Sequence, residues 1–311
     1  MTSSPEENAF DLEVDWLVAG AGAAGMTGAI VAHQLGGSVL VVEKETVYGG
    51  TTAKSGGVAW IPANHRQAEV GIVDSVEEGY NYLKGLIGDT VSDARIRAYA
   101  GRAGEMLRFM AQHSHVDYSA LPAYMDYYED IAGYKQGGRS MDTGAFKLSK
   151  LGSEADKLRL GHYDGLLLPF NVTVEEGRRL QEMDLGAYLL GIRLLLRYLL
   201  DLPSRLRGQR DNRVTLGPAL VAQLRCSLLD REIPLWLNSP MQKLLASNGR
   251  VCGAIVERDG KAVRIGARRG VLLGTGGFAQ NGDIRREYQH PAMAVSYTHL
   301  TLPTKSKWGG G

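Results

Sequence analysis

The residues best suited to chemistry cluster early in the chain. Gly20-Ala21-Gly22-Ala23-Ala24-Gly25 fits GxGxxG, a pattern that cradles a dinucleotide pyrophosphate. Its first glycine permits a sharp turn after a strand. The second lets backbone approach the phosphates, and the third lets helix and strand pack closely. The N–H groups at the helix start, around Gly22, Ala23 and Ala24, then meet the anion where the helix dipole favours negative charge. Glu43 lies 18 positions after Gly25 and can accept hydrogen bonds from ribose hydroxyls. A second cluster, Gly49-Gly50-Thr51-Thr52-Ala53-Lys54-Ser55-Gly56-Gly57, flanks hydroxyl side chains with glycine pairs. Such a loop can wrap backbone around a flavin while Thr51, Thr52 and Ser55 reach phosphate oxygens.

Regular elements must hold these loops in place. Val14 to Ala19 is a short apolar run ended by a glycine turn, which predicts a buried strand. Ala23 to Leu35 predicts a helix stopped by Gly36-Gly37, and Val39 to Glu43 predicts a second buried strand. Together they form one βαβ unit. Residues 74–115 show helical spacing, with Tyr80, Leu83 and Ile87 on one face and Met106, Phe109 and Met110 on another. Residues 118–180 have no sustained period and read as loops and short elements over a site. Pro218 to Leu229 predicts a helix. Met241 to Ala246, Val251 to Arg258 and Ala262 to Ala267 predict strands joined by turns at Asn248-Gly249 and Asp259-Gly260. Gly270 to Gly274 predicts a final buried strand running into Thr275-Gly276-Gly277. A three-stranded meander leading to a parallel strand is expected in the two-part dinucleotide-binding fold of flavoproteins.

Composition excludes other classes. The net charge of +1 gives no reason to expect nucleic acid as a partner. The two cysteines, Cys226 and Cys252, match no metal-ligand spacing, so no metal is expected and both read as thiols in a reducing cytoplasm. The acidic N-terminus lacks the basic and apolar regions of a signal peptide. Leu185 to Leu202 is the most apolar stretch, and Arg193 and Arg197 interrupt it on one helix face. It predicts an amphipathic helix packed on its own protein, with weak contact to a membrane surface as the alternative.

Taken together, the GxGxxG, the Glu43-Lys44 pair, GGTTAKSGGVAWIP and GVLLGTGGFAQN resemble the FAD-binding family that includes fumarate reductase flavoproteins and 3-ketosteroid dehydrogenases. Three stretches are similar to the ketosteroid branch: SGGVAWIPAN, AYMDYYEDIAGYKQGGRS and RRGVLLGTGGFAQNGDIRREYQHP. The resemblance implies an α/β fold, a two-part Rossmann-type FAD-binding domain of the glutathione-reductase kind with parallel sheet and meander, incomplete in this chain. It implies FAD contacts at Gly20, Gly22, Ala23, Ala24, Gly25, Glu43, Lys44, Gly50, Thr51, Thr52, Ser55, Gly56, Gly57, Met241, Thr275, Gly276 and Gly277. Covalently flavinylated members carry a His between the GG and SGG elements. Thr51-Thr52-Ala53-Lys54 has none, so the FAD is expected to be noncovalent.

The resemblance further implies dehydrogenation of a steroid-like ketone. A base removes a proton alpha to the carbonyl, and flavin N5 takes the hydride from the neighbouring carbon. Tyr127 matches a family active-site tyrosine, and Tyr124 matches an aromatic wall of the substrate pocket. No motif identifies the electron acceptor. The alternatives are a fumarate-reductase-like reductase of unsaturated acids and a flavin-binding fragment without activity. The expected organisation is a disordered N-terminus over 1–12 and an FAD domain over 13–293, with an irregular and helical insertion at 118–212 near the active site. Residues 294–311 resemble translated sequencing-adapter sequence and are expected to be non-native. The family's substrate domain and remaining catalytic tyrosines are expected to lie beyond this chain, leaving it inactive alone.

Overall fold

A computed structural model of the chain describes residues 9–161, 171–201, 211–278 and 281–288. The first half contains β1 (Leu12–Ala19), α1 (Ala23–Gln34), β2 (Val39–Val42), β3 (Ala59–Trp60), α2 (Val76–Ile87), α3 (Asp93–His113), β4 (Ser119–Ala120), β5 (Ser140–Asp142) and β6 (Phe146–Lys147). The second half contains α4 (Val174–Gln181), α5 (Leu185–Leu200), β7 (Arg213–Val214), α6 (Leu216–Leu229), β8 (Leu235–Trp236), β9 (Met241–Ser247), β10 (Arg250–Arg258), β11 (Lys261–Leu273) and α7 (Gly282–Tyr288). The chain divides into two compact units. One takes the described residues of Met1–Gly56, Lys157–His162 and Leu228–Gly311, and the other those of Gly57–Asp156 and Tyr163–Ser227.

The first unit is built on a six-stranded sheet in the order β8-β2-β1-β11-β10-β9. The four strands from β8 to β11 run parallel, and β10 and β9 complete an antiparallel meander. β2 is buried along its whole length, as a central parallel strand covered on both faces must be. Val14, Leu17, Ala19, Leu40, Val42, Ala254, Val256, Ile265 and Ala267 form one hydrophobic cluster against the sheet. Met26, Ala29 and Ile30 are buried on α1, the βαβ crossover helix.

Two differences from expectation have local causes. The strands expected at 262–267 and 270–274 are one strand, β11. It pairs with β10 through Gly266 and with β1 from Ile265 onward, so it belongs to the meander and to the parallel sheet at once. Arg268 and Arg269 do not break it. They sit in a bulge, because Val14 faces Ala267 whereas Trp16 faces Gly270. Its end is also not buried: Leu272 and Leu273 are exposed. β8 was not anticipated; its two residues continue the sheet beyond β2. Ordered pairing begins at Asp11, which exchanges bonds with Arg264, within the stretch expected to be disordered.

The second unit holds a three-stranded sheet, β3-β5-β4, a β6-β7 pair, helices α2 to α5 and α6 as far as Ser227. Tyr80 packs with Ile96 and Ala100, and Leu83 and Ile87 join them as the helical spacing implied. The buried face of α3 runs through Ala103, Leu107 and Met110, so Met106 faces solvent instead of packing. On α5 only Ala187 and Leu194 are buried. Leu185, Tyr188, Leu189, Ile192, Leu196 and Leu200 are exposed, contrary to a helix packed on its own protein. Residues 294–311 lie outside the described residues.

Candidate functional site

Three glycines decide the shape of the first turn. Gly20 has φ +105°, and a Cβ there would lie 2.3 Å from the Gly274 carbonyl oxygen. A Cβ on Gly25 would lie 1.9 Å from the Gly20 carbonyl oxygen, and one on Gly274 would lie 2.8 Å from Gly25 Cα. Strand β1, helix α1 and the end of β11 therefore meet backbone to backbone at this point. Gly22 differs. It is the N-cap of α1, and a Cβ there would meet nothing nearer than Thr52 Oγ1 at 3.7 Å. No side chain of Gly22 caps the helix, and the first turn carries no acidic residue. A helix start with no acidic residue in its own first turn fits the pyrophosphate of FAD.

The second glycine cluster is brought against the first. Gly49 N–H donates to the Ala21 carbonyl at 2.9 Å. Gly50 has φ +52°, and a Cβ there would lie 3.6 Å from Gly22 Cα. Thr52 Oγ1 accepts the Ala23 N–H at 3.1 Å, so this hydroxyl sits at the start of α1 itself. Ser55 Oγ donates to the Thr52 carbonyl, which tightens the short helical turn Thr52–Lys54. Thr51 is exposed beside it, and Gly56 has open space above its Cα. Gly57 begins the other unit. Its φ of +68° and its tight approach to the Leu216 carbonyl give it a structural reason to be glycine.

Glu43 is buried, with only 7% exposure, at the end of β2. Its Oε2 accepts the Ala21 N–H at 2.8 Å and its Oε1 accepts the Glu45 N–H at 3.1 Å. The carboxylate thus ties the GxGxxG turn to the loop after β2, and each oxygen keeps a lone pair for a ribose hydroxyl. Lys44 is exposed, 3.8 Å from Glu45. Met241 is partly buried against the sheet cluster, at the start of β9. Thr275, Gly276 and Gly277 are exposed after β11, and Gly276 has φ +74° with open space around it.

The tyrosine segment lies in the other unit. Tyr124 is half-buried, and Tyr127 is 72% exposed. A group absent from the expected site residues holds this segment: the fully buried Arg139. Its Nη1 donates to Asp126 at 2.7 Å, while Nε and Nη2 make a bidentate pair with Asp74 at 2.8 and 2.7 Å. Asp126 also accepts from Trp60 Nε1 at 2.6 Å and from the Lys135 N–H at 3.1 Å. The Tyr128 N–H donates to Tyr82 Oη. Trp60 stacks between Tyr82 and Tyr99, and the guanidinium of Arg139 lies over the Trp60 and Tyr82 rings. Burial drives the Asp74 carboxyl upward, but bonds from Arg139, the Ala63 N–H and Gln67 overcome this and hold it at about 2.

Comparison with known proteins agrees with this geometry. The profile of the FAD binding domain family matches residues 15–306. The 3-oxosteroid 1-dehydrogenase of Comamonas testosteroni is 38% identical over 279 residues, covering 89% of this chain and 48% of the relative. The 3-oxosteroid 1-dehydrogenase of Mycolicibacterium smegmatis is 35% identical, covering 92% of this chain and 50% of the relative. The crystal structure of a 3-ketosteroid Δ1-dehydrogenase from Sterolibacterium denitrificans, in complex with 1,4-androstadiene-3,17-dione, superposes with a TM-score of 0.85 at 40% identity. It covers 91% of this chain and 51% of the other. The chain thus spans about half the length of the relatives it matches.

Proposed function

The chain belongs to the FAD binding domain family, and from that premise we propose that it forms the cofactor-binding part of a dehydrogenase acting on 3-oxosteroids. The observation that carries the cofactor half of this reading is the backbone junction of Gly20, Gly25 and Gly274 beneath an open start of α1. For the substrate, support comes from the two oxosteroid dehydrogenases and the steroid-bound structure, each matched over about nine-tenths of this chain. These relatives favour a ketone substrate over the unsaturated acid of a fumarate reductase.

FAD, when bound, supplies a two-electron acceptor for the hydride leaving the ring carbon. The chain's own residues bind and position. The α1 start and Thr52 face the pyrophosphate, Glu43 holds the ribose, and the glycines of both loops bring the backbone close. Tyr127 acts on the substrate as an acid–base group and Tyr124 lines its pocket. The Asp126–Arg139 pair fixes the segment that carries both. Attachment of FAD is noncovalent. Cys226 and Cys252 form no disulfide among the described residues, which fits a cytoplasmic setting. No helix among the described residues is long and apolar enough to cross a membrane. The exposed apolar face of α5, beside the exposed Arg193 and Arg197, makes weak contact with a membrane surface.

The test uses the FAD-loaded full-length protein, mixed anaerobically with a 3-oxosteroid. Loss of oxidised-flavin absorbance together with a Δ1-unsaturated steroid product supports the reading. Flavin that stays oxidised with the steroid, yet returns from its reduced form on adding fumarate, overturns it. Acid precipitation should leave a yellow supernatant. Yellow colour retained on the pellet would show covalent attachment.

A further inference from the structure

We propose that Arg159 is a cofactor-site residue, its guanidinium directed at the ribose–pyrophosphate part of FAD. The residues between 157 and 161 return to the nucleotide unit although the chain on either side belongs to the other. They join by a parallel bridge of Leu158 to Tyr48. The Tyr48 N–H donates to the Lys157 carbonyl and the Arg159 N–H to the Tyr48 carbonyl, both at 2.9 Å. Tyr48 is fully buried and directly precedes Gly49, whose N–H is bonded to Ala21 in the phosphate turn. Arg159 is therefore anchored, through its backbone, one residue from the loop that packs on the GxGxxG.

Its side chain reaches the same place. Arg159 Nη2 lies 3.7 Å from Glu45 Oε2, and the Glu45 N–H is bonded to Glu43, the carboxylate that holds Ala21. The 3.7 Å spacing is too long for a tight ion pair, and Arg159 Nε is buried without a hydrogen-bond partner. A guanidinium stays charged at every working pH and offers several donors in a planar fork, which suits phosphate and sugar oxygens. The other cation next to these acids, Lys44, points into solvent. Arg159 is thus a cation with a buried, unused donor, standing beside the loop after β2 where the dinucleotide's ribose is expected.

The experiment titrates the apoprotein with FAD, followed by flavin fluorescence, at low and high salt. Arg159→Ala should weaken FAD about tenfold or more, the size of a lost charge-assisted bond. It should also flatten the salt dependence of binding, because one anion–cation contact has gone. Arg159→Lys keeps the charge without the fork and should fall between Arg159→Ala and wild type. Glu45→Gln releases Arg159 from its carboxylate and should bind FAD as tightly as wild type or more tightly. ADP should compete with FAD less effectively in Arg159→Ala than in wild type. Wild-type affinity and salt dependence in Arg159→Ala would overturn the proposal. So would a Glu45→Gln loss as large as that of Arg159→Ala, since Arg159 would then only brace the 44–48 loop. If Arg159→Ala does not fold, the lysine and Glu45 variants decide by the same criteria. Every readout is FAD or ADP binding, so the result is independent of whether the whole protein acts on steroids.

Discussion

Gly25 and Gly22 stand three residues apart in one motif but answer to different constraints. At Gly25 a methyl group would collide with the backbone of Gly20, which no side-chain rotation can relieve. Gly25→Ala is therefore expected to lower stability by about 1–3 kcal/mol, the usual range for forced overpacking, and to lower the thermal midpoint of the apoprotein. At Gly22 a methyl group has room, so Gly22→Ala should melt like wild type yet bind FAD more weakly, because the methyl occupies the phosphate approach. Equal melting of the two variants would contradict this division. Glu43→Gln keeps an acceptor for the Ala21 N–H and loses the charge. Its fold should survive, while FAD affinity in a fluorescence titration drops by about tenfold, as for a charge-assisted bond made neutral. Tyr127→Phe, in the full-length protein, should cut turnover of a 3-oxosteroid far more than it changes steroid binding, since the ring stays and only the hydroxyl is lost. Unchanged turnover would return Tyr127 to the pocket wall. The turn at Gly20 and the close packing at Gly25 were legible in the sequence because they depend on backbone alone and sit within six residues. The Arg139 group was not. Its acids lie 13 and 65 positions away, and nothing local marks Asp74 or Asp126 as partners of one arginine.

At the level of elements, the βαβ unit, α2, α3 and the meander follow from periodicity and turn residues. What sequence could not show was continuity and burial. Arg268-Arg269-Gly270 read as a break, yet the bulge absorbs these residues and β11 runs on into the parallel sheet. β8 is too short to carry a period, and it forms only because β2 offers an open edge. Exposure of α5 cannot be read from its apolar content, since a stripe predicts a partner without saying what that partner is. The buried ions connecting the turn before α2, the residue before β5 and the tyrosine segment also give a pH prediction. Asp74, held at about 2 in the fold against an ordinary value of 3.8, contributes stability above the latter. The contribution amounts to roughly 2 kcal/mol and is lost as pH falls through that interval. Acid melting of wild type should therefore steepen between about pH 4 and 2, and Asp74→Asn should lack that component. Asp74→Asn also leaves Arg139 short of a buried counter-charge, so its stability at neutral pH should fall by about 3–5 kcal/mol. A variant as stable as wild type at pH 7 would show that the pair is dispensable.

For the whole molecule, FAD acts as a stabilising ligand of one unit. At a concentration 100-fold above its dissociation constant it should add about 2.7 kcal/mol, read as a rise in the melting transition of the sheet unit. A transition unmoved by FAD would mean that the cofactor does not bind the native fold. The junction of β1 with β11 also bears on how the chain is made. Asp11 bonds to Arg264, 253 positions further along, and the two strands at the centre of the sheet come from opposite ends of the described chain. At a synthesis rate of about 5–20 residues per second, β1, α1 and β2 leave the ribosome roughly ten to fifty seconds before β11 exists. The phosphate turn cannot close during that time, because Gly274 is the floor on which Gly20 and Gly25 rest. The unit made of residues between 57 and 227 is complete earlier and is free to form first. Nascent chains arrested after residue 230 should therefore protect α2 and α3 from protease while leaving β1 open to cleavage, and chains arrested beyond residue 290 should protect both. Cofactor capture thereby waits until β11 has been made.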